Sequence, residues 1–176
     1  MQSFTIRRAI EEDADRIAFV RITGWKQSYA GLMPEALLSR LDMAGDAERV
    51  RMVLSDPNNH SLRFVVELDN IIVGMGACGR ARGEESPNRG EVFAIYLLDE
   101  AKRKGIGQAF MREMAAAMAA NGLESLQVSV LENNRPARFF YEKLGGKLQK
   151  SGVFRYEGYE LPDVTYVWDD LQALLA

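Results

Sequence analysis

The chain has 176 residues, 47% of them hydrophobic, enough for one domain with a sizeable core. Its formal net charge is −3 and its sequence pI is near 5.3, so it lacks the global basic field on which nucleic-acid binding relies. One cysteine, Cys78, excludes an internal disulfide, and one histidine, His60, lacks partners for a zinc site of the usual spacing, so no metal is expected.

Taken in chain order, FTIRRA alternates as a short strand, and Asp13 offers an N-cap to a helix whose Ala18, Ile22, Trp25 and Tyr29 share one face. The first twenty residues mix Arg, Glu and Asp and contain no long apolar run, so neither a signal peptide nor a membrane span is expected, and a cytoplasmic location is. MPEALLSRL and GDAERVRMVLSD read as two more short helices, with Pro34 near the start of the first. LRFVVEL and IIVGMGACGRA read as strands joined by an Asp69-Asn70 hairpin turn, and residues 83–90 read as a surface loop.

EVFAIYLL follows, rich in β-branched and aromatic residues, and predicts a strand. A helix starts near Gly105, with Ile106, Phe110, Met114 and Met118 at every fourth position and Asn121-Gly122 as its stop. LESLQVSVL alternates as another strand; Asn134 then caps a helix on which Ala137, Phe140, Tyr141 and Leu144 share a face, ended by Gly145-Gly146. Lys147 to Trp168 reads as two strands around a polar turn. No repeat or linker interrupts the chain, so residues 1–176 are expected to form a single domain, a mixed α/β sheet flanked by helices.

Between the EVFAIYLL strand and its helix lies KRKGIGQAF. A strand, a glycine loop and a helix start gather free backbone N–H groups at one point, where the helix dipole adds roughly half a positive charge. Gly105 and Gly107 lack β-carbons and let an anion approach; Lys102, Arg103 and Lys104 favour a polyanionic one. The stretch lacks the G-x-x-x-x-G-K-S/T of a nucleotide P-loop and the third glycine of a dinucleotide fingerprint. On these residues alone, a solvated basic turn before a helix is equally consistent.

Here the chain resembles the GNAT family of N-acetyltransferases. KRKGIG places Gly105 and Gly107 in register with the family's Q/R-x-x-G-x-G/A, and NRPARFFYEKLGG matches its N-x-x-A-x-x-F-Y-x-K-L-G. The match is specific from about Glu91 to Gly146, with one departure: Lys102 stands where the family has Gln or Arg. Lysine donates as a point charge without the guanidinium fork, so the backbone behind it is the firmer ligand.

The resemblance implies a mostly antiparallel central sheet flanked by helices and acetyl-coenzyme A (acetyl-CoA) as the donor. The backbone of Arg103, Lys104, Gly105, Ile106, Gly107 and Gln108 would hold the pyrophosphate. Leu97 and Leu98 would hydrogen-bond the pantetheine arm in a splay between two strands, with Asn134 on the same arm, although Asn134 is equally a plain helix cap.

The chemistry implied is attack by a primary amine, whose pKa near ~10.4 leaves about one molecule in a thousand nucleophilic near neutral pH. The developing oxyanion can be stabilised by a strand N–H. Tyr141, at the family's tyrosine position, would return a proton to the leaving thiolate, its alternative being a core tyrosine. Glu91 would act as base, directly or through water, its alternative being a charge at a strand's start. Trp25 and Tyr29 would line the acceptor site, or pack in the core as their helical spacing also allows. Glu157, Glu160 and Asp163 would attract a cationic amine or stay as solvated carboxylates.

The expected activity is therefore acetyl transfer to a small-molecule amine such as a polyamine or amino acid, through a ternary complex. Acetylation of protein lysines or N-termini, and a non-catalytic coenzyme A binding module, are the alternatives. No nucleic-acid or membrane partner is expected, and a homodimer stays open.

Overall fold

In the computed structural model, residues 3–83 and 87–175 are described; the centre of the expected 83–90 loop, residues 84–86, lies outside them. The chain opens with β1 (Phe4–Arg8), then α1 (Ala14–Tyr29), α2 (Glu35–Ser39) and α3 (Met43–Ser55). The hairpin β2 (Leu62–Leu68) and β3 (Ile71–Arg80) follows, then β4 (Arg89–Leu97), α4 (Ile106–Ala120), β5 (Ser125–Leu131) and α5 (Arg135–Lys143). The hairpin β6 (Lys147–Tyr156) and β7 (Tyr159–Trp168) and a short α6 (Gln172–Leu175) complete it. Asp69 and Asn70, at φ 52° and 63°, make the two-residue turn that their side chains tolerate.

The seven strands form one sheet in the order β1-β2-β3-β4-β5-β7-β6. Every neighbouring pair is antiparallel except β4 and β5, which are parallel because α4 crosses over between them. Ile106, Phe110, Met114 and Met118 of α4 are buried against one face, together with Val128, Val130, Tyr141 and Tyr166. Ile17 and Val20 of α1 cover the other face over Val65, Met75 and Leu98.

Asp13 precedes α1 as expected but does not cap it. Its carboxylate accepts from the Ile10 N–H at 2.9 Å and from both terminal nitrogens of Arg7, at 2.6 and 2.9 Å, while Arg7 also reaches Glu67. An arginine on the neighbouring strand outcompetes the helix amides, because a bidentate charged donor is the stronger partner.

One irregularity positions the site. Val92 faces Cys78 and Ala94 faces Ala77, so Phe93 is an extra residue bulged out of β4. The parallel ladder with β5 runs from Arg89–Ser125 to Val92–Val128 and stops at that bulge. Beyond it both strands continue, β4 to Leu97 against β3 and β5 to Leu131 against β7, without pairing each other. The result is a gap in the middle of the sheet.

Candidate active site

The loop into α4 is shaped by two left-handed residues, Arg103 at φ 60° and Gly105 at φ 78°. Gly105 is the N-cap, and no side chain caps the helix. The first backbone bond into the helix is from Ala109 N–H to the Gly105 carbonyl, 3.1 Å, which leaves the N–H groups of Ile106, Gly107 and Gln108 without backbone acceptors at the positive end of a fifteen-residue helix. Arg103, Lys104, Gly105 and Gln108 are exposed around this point, and Lys102 is paired with Asp99 at 2.7 Å. The two glycines do different jobs. A β-carbon on Gly105 would meet nothing, so its need is the backbone angle; one on Gly107 would lie 3.2 Å from Phe140 Cε2 and 3.6 Å from Leu97 Cδ1, so its need is close packing of α4 against α5 and β4.

The gap supplies a second set of free donors. Leu98 donates its N–H to the Val73 carbonyl at 2.9 Å and accepts from Ala101 at 2.9 Å, so its backbone is spent within the fold and the expectation that it serves a ligand is corrected. Antiparallel alternation then turns Tyr96 and Ala94 toward β3 as well, and turns the backbone of Leu97 and Ile95 toward the departed β5. The backbone groups that face the gap are therefore those of Leu97 and Ile95.

Tyr141 stands on α5 at the edge of this gap, 6% exposed, its ring 5.3 Å from Phe140, 6.1 Å from Tyr166 and 6.2 Å from Trp168. The helix that carries it is pinned to β7: Trp168 Nε1 donates to the Leu144 carbonyl at 2.8 Å, and the Tyr166 hydroxyl lies between Arg138 and Glu142. The Tyr141 hydroxyl makes no hydrogen bond among the described residues. Burial pushes its pKa well above the ordinary phenol value, so it holds its proton at neutral pH.

Asn134 is buried and caps α5, its side-chain oxygen accepting from Ala137 N–H at 3.3 Å. That leaves the amide nitrogen as its remaining donor.

Two further phenols face Tyr141. Tyr29, at the end of α1, lies with its hydroxyl 3.2 Å from that of Tyr96 on β4. Both are held neutral by burial; the Tyr96 hydroxyl bond works against this at Tyr29, while Tyr96 is raised further by Tyr29 and Tyr141, and Tyr141 by Tyr29. Gly24 gives the Tyr96 ring its space: a β-carbon there would lie 2.9 Å from Tyr96 Cβ. Trp25 packs edge-on to Tyr29 at 5.3 Å and belongs, with Leu131, to a small cluster that closes this side.

Glu91 is not brought to this cluster. It sits in the zipped part of β4 opposite Gln127, and its two oxygens accept from the Arg82 N–H at 3.0 Å and the Arg82 guanidinium at 2.8 Å. Five residues of strand, about 16 Å, separate it from Tyr96. Cys78 is fully buried, its thiol pushed up to about 12 by desolvation, and His60 is exposed; neither takes part.

An uncapped helix start, a broken parallel ladder and a neutral tyrosine between them are thus assembled on one sheet. The sequence model of the acetyltransferase (GNAT) family matches residues 25–146. The chain belongs to the GNAT family. A GNAT relative, an uncharacterized N-acetyltransferase named YuaI of Bacillus subtilis, is 30% identical over 173 residues, covering 97% of this chain and 95% of that protein. Among solved structures, the PaiA N-acetyltransferase of Thermoplasma acidophilum, in complex with coenzyme A, superposes with a TM-score of 0.74 at 22% identity, covering 92% of this chain and 98% of that one. The ribosomal-protein-alanine N-acetyltransferase of Brucella melitensis does so with a TM-score of 0.72 at 17% identity, covering 93% and 98%.

Reading this GNAT enzyme from its sequence misses Tyr96 and Ile95. Both lie in a strand of unbroken hydrophobic character, and the bulge at Phe93, which decides where each residue points, has no Gly or Pro to announce it. Among the described residues, no helix is long and apolar enough to cross a membrane.

Proposed function

We propose that the chain transfers an acetyl group from acetyl-CoA to a primary amine of a small molecule, in a direct step within a ternary complex. The observation that carries this reading is the pairing of unanswered donors with a neutral phenol. The N–H groups of Ile106, Gly107 and Gln108 suit a diphosphate, and those of Ile95 and Leu97 suit an extended amide chain lying in the gap as a strand would.

Acetyl-CoA supplies an activated acyl thioester; the chain's residues supply everything else. The strand N–H facing the gap stabilises negative charge as it grows on the thioester oxygen. Tyr141 Oη carries the proton that the leaving sulfur takes up. A phenol is ordinarily a weaker acid than a thiol by about 1.5 units and burial raises Tyr141 further, so the transfer depends on the same desolvation disfavouring the thiolate and on the hydroxyl being held against the sulfur. Trp25, Tyr29 and Tyr96 form the wall on the acceptor side. With Glu91 tied to Arg82, the amine's own proton leaves to solvent.

The test is thiol release from acetyl-CoA across polyamines, amino acids, aminoglycosides and short peptides, beside calorimetric titration with coenzyme A. Release with small amines is expected. Release with peptides only would move the activity to protein acetylation, and binding without release would leave a coenzyme A binding module.

A further inference from the structure

The wall on the acceptor side continues from Trp25 onto the β6–β7 hairpin. The Trp25 and Tyr156 rings are 5.2 Å apart, Phe154 stacks on Tyr156 at 6.1 Å, and Leu131 and Leu161 fill in beside them. Cross-strand register sets Asp163 on this same face, opposite Leu131 on one side and Gly152 on the other, two positions along the ladder from the Phe154–Leu161 pair.

Asp163 is half-buried, and among the described residues its carboxylate has neither a hydrogen bond nor an ion pair. Its Oδ1 occupies the space over Gly152, where a β-carbon would sit 2.6 Å away. Burial raises its pKa above the ordinary carboxylate value, against the field of Lys150 on β6. The more deeply buried carboxylates elsewhere are answered, Asp13 by Arg7, Asp46 by Arg21 and Glu91 by Arg82. A partly desolvated carboxylate without a partner is unfavourable, and a cation placed beside it offsets that cost. Aromatic faces favour the same cation, and this wall already holds the Arg21 guanidinium 5.5 Å from the Trp25 ring.

We propose that Asp163 receives a second cationic group of the acceptor, making the substrate a diamine or polyamine whose one amino group reaches the gap while another ammonium rests at Asp163 beside Phe154. The assignment rests on the acetyl-transfer reading above and adds to it the acceptor's second charge. β7 lies one strand spacing, about 4.8 Å, beyond β5, the far wall of the gap, and a short aliphatic diamine spans that step.

The experiment compares kcat/KM for putrescine, cadaverine and spermidine with that for butylamine and pentylamine, by thiol release, in the wild type, Asp163→Asn and Gly152→Ala. The wild type should prefer the diamines by about tenfold or more, through KM, the scale of one charge-assisted contact. Asp163→Asn should bring the ratio close to one. Gly152→Ala should lower it too, because the new methyl displaces the carboxylate while keeping its charge, and only the free end of a side chain has to move. A wild-type ratio near one, or a ratio that survives Asp163→Asn, overturns the assignment and leaves acetyl transfer standing. No thiol release with any amine and no heat with coenzyme A overturns the underlying reading, and this assignment with it.

Discussion

The two sides of the sheet's bulge treat polar groups in opposite ways. On the β1–β3 side, Asp13 accepts from Arg7 and Ile10, and Asp46 is answered by Arg21. At the gap, the N–H groups of Ile106, Gly107 and Gln108, those of Ile95 and Leu97, and the Tyr141 hydroxyl have no partner among the described residues. Native chains satisfy nearly all such groups, so a cluster of unanswered ones in one place marks where something else binds. On the function proposed above, satisfied polar groups hold the fold and unsatisfied ones do the chemistry. That division can be broken by experiment.

The largest effect should come from Tyr141→Phe, which removes an unanswered hydroxyl and keeps the ring packing against Phe140, Tyr166 and Trp168. We expect kcat to fall by about 100-fold or more, the contribution of a general acid, with the dissociation constant for coenzyme A within about twofold of wild type. An unchanged kcat would return Tyr141 to the core residues.

On the satisfied side, Asp13→Asn should leave catalysis alone and cost about 2 kcal/mol of stability at pH 7, by loss of charged hydrogen bonds to Arg7. The Arg7 guanidinium beside Asp13 holds the carboxyl below its ordinary 3.8. Since the folded value is depressed, the stability it contributes is present above the unfolded pKa and is lost as pH falls through the folded one. Melting curves of wild type and variant should therefore differ by about 4–8 °C at pH 7, begin to approach each other only below about pH 4, and meet once pH has fallen through the depressed folded value. A gap that persists undiminished in acid would show that the contribution is not electrostatic.

Much of the fold was legible because local signals and tertiary structure agree. The fourfold repeat Ile106, Phe110, Met114, Met118 is the buried stripe of α4, and Asn134 caps α5 with Pro136 in its first turn. Asp13 misled because a helix cap and an arginine on a neighbouring strand compete for one carboxylate, and only the fold brings Arg7 near. Asp42, which accepts from the Ala44 and Gly45 amides, is the true cap of α3 and sets its start earlier than GDAERV suggested. For the proposed site, the loop into α4 and Tyr141 are both marked by motifs in the sequence. The direction of the β4 backbone could not, because one bulged residue exchanges which groups face the gap, and period-two alternation carries no mark of it.

Gly107 and Arg103 test whether the loop acts through its backbone or its charge. Gly107→Val would drive a side chain into Phe140 and Leu97 and shift the start of α4, whereas Arg103→Ala removes an exposed cation only. Coenzyme A affinity should fall about tenfold in the first variant and less than about threefold in the second, since exposed charges contribute at most about 1 kcal/mol. Comparable losses would mean that the cations, and not the amides, hold the ligand.

The smallest effect should belong to Glu91→Gln, and it probes the boundary between the two sides. Glu91 lies one residue before the last position at which β4 pairs with β5, with both oxygens engaged by Arg82, so it falls on the satisfied side although it shares a strand with Leu97. Glutamine keeps one acceptor for Arg82, whose side chain is 73% exposed, so little stability should change. If Glu91 is structural, the acidic limb of the kcat/KM profile is the same in wild type and variant, because the proton lost on that limb belongs to the amine. If the limb disappears in Glu91→Gln, the carboxylate accepts the amine's proton across the bulge through water, and the division between satisfied and catalytic groups fails at this residue.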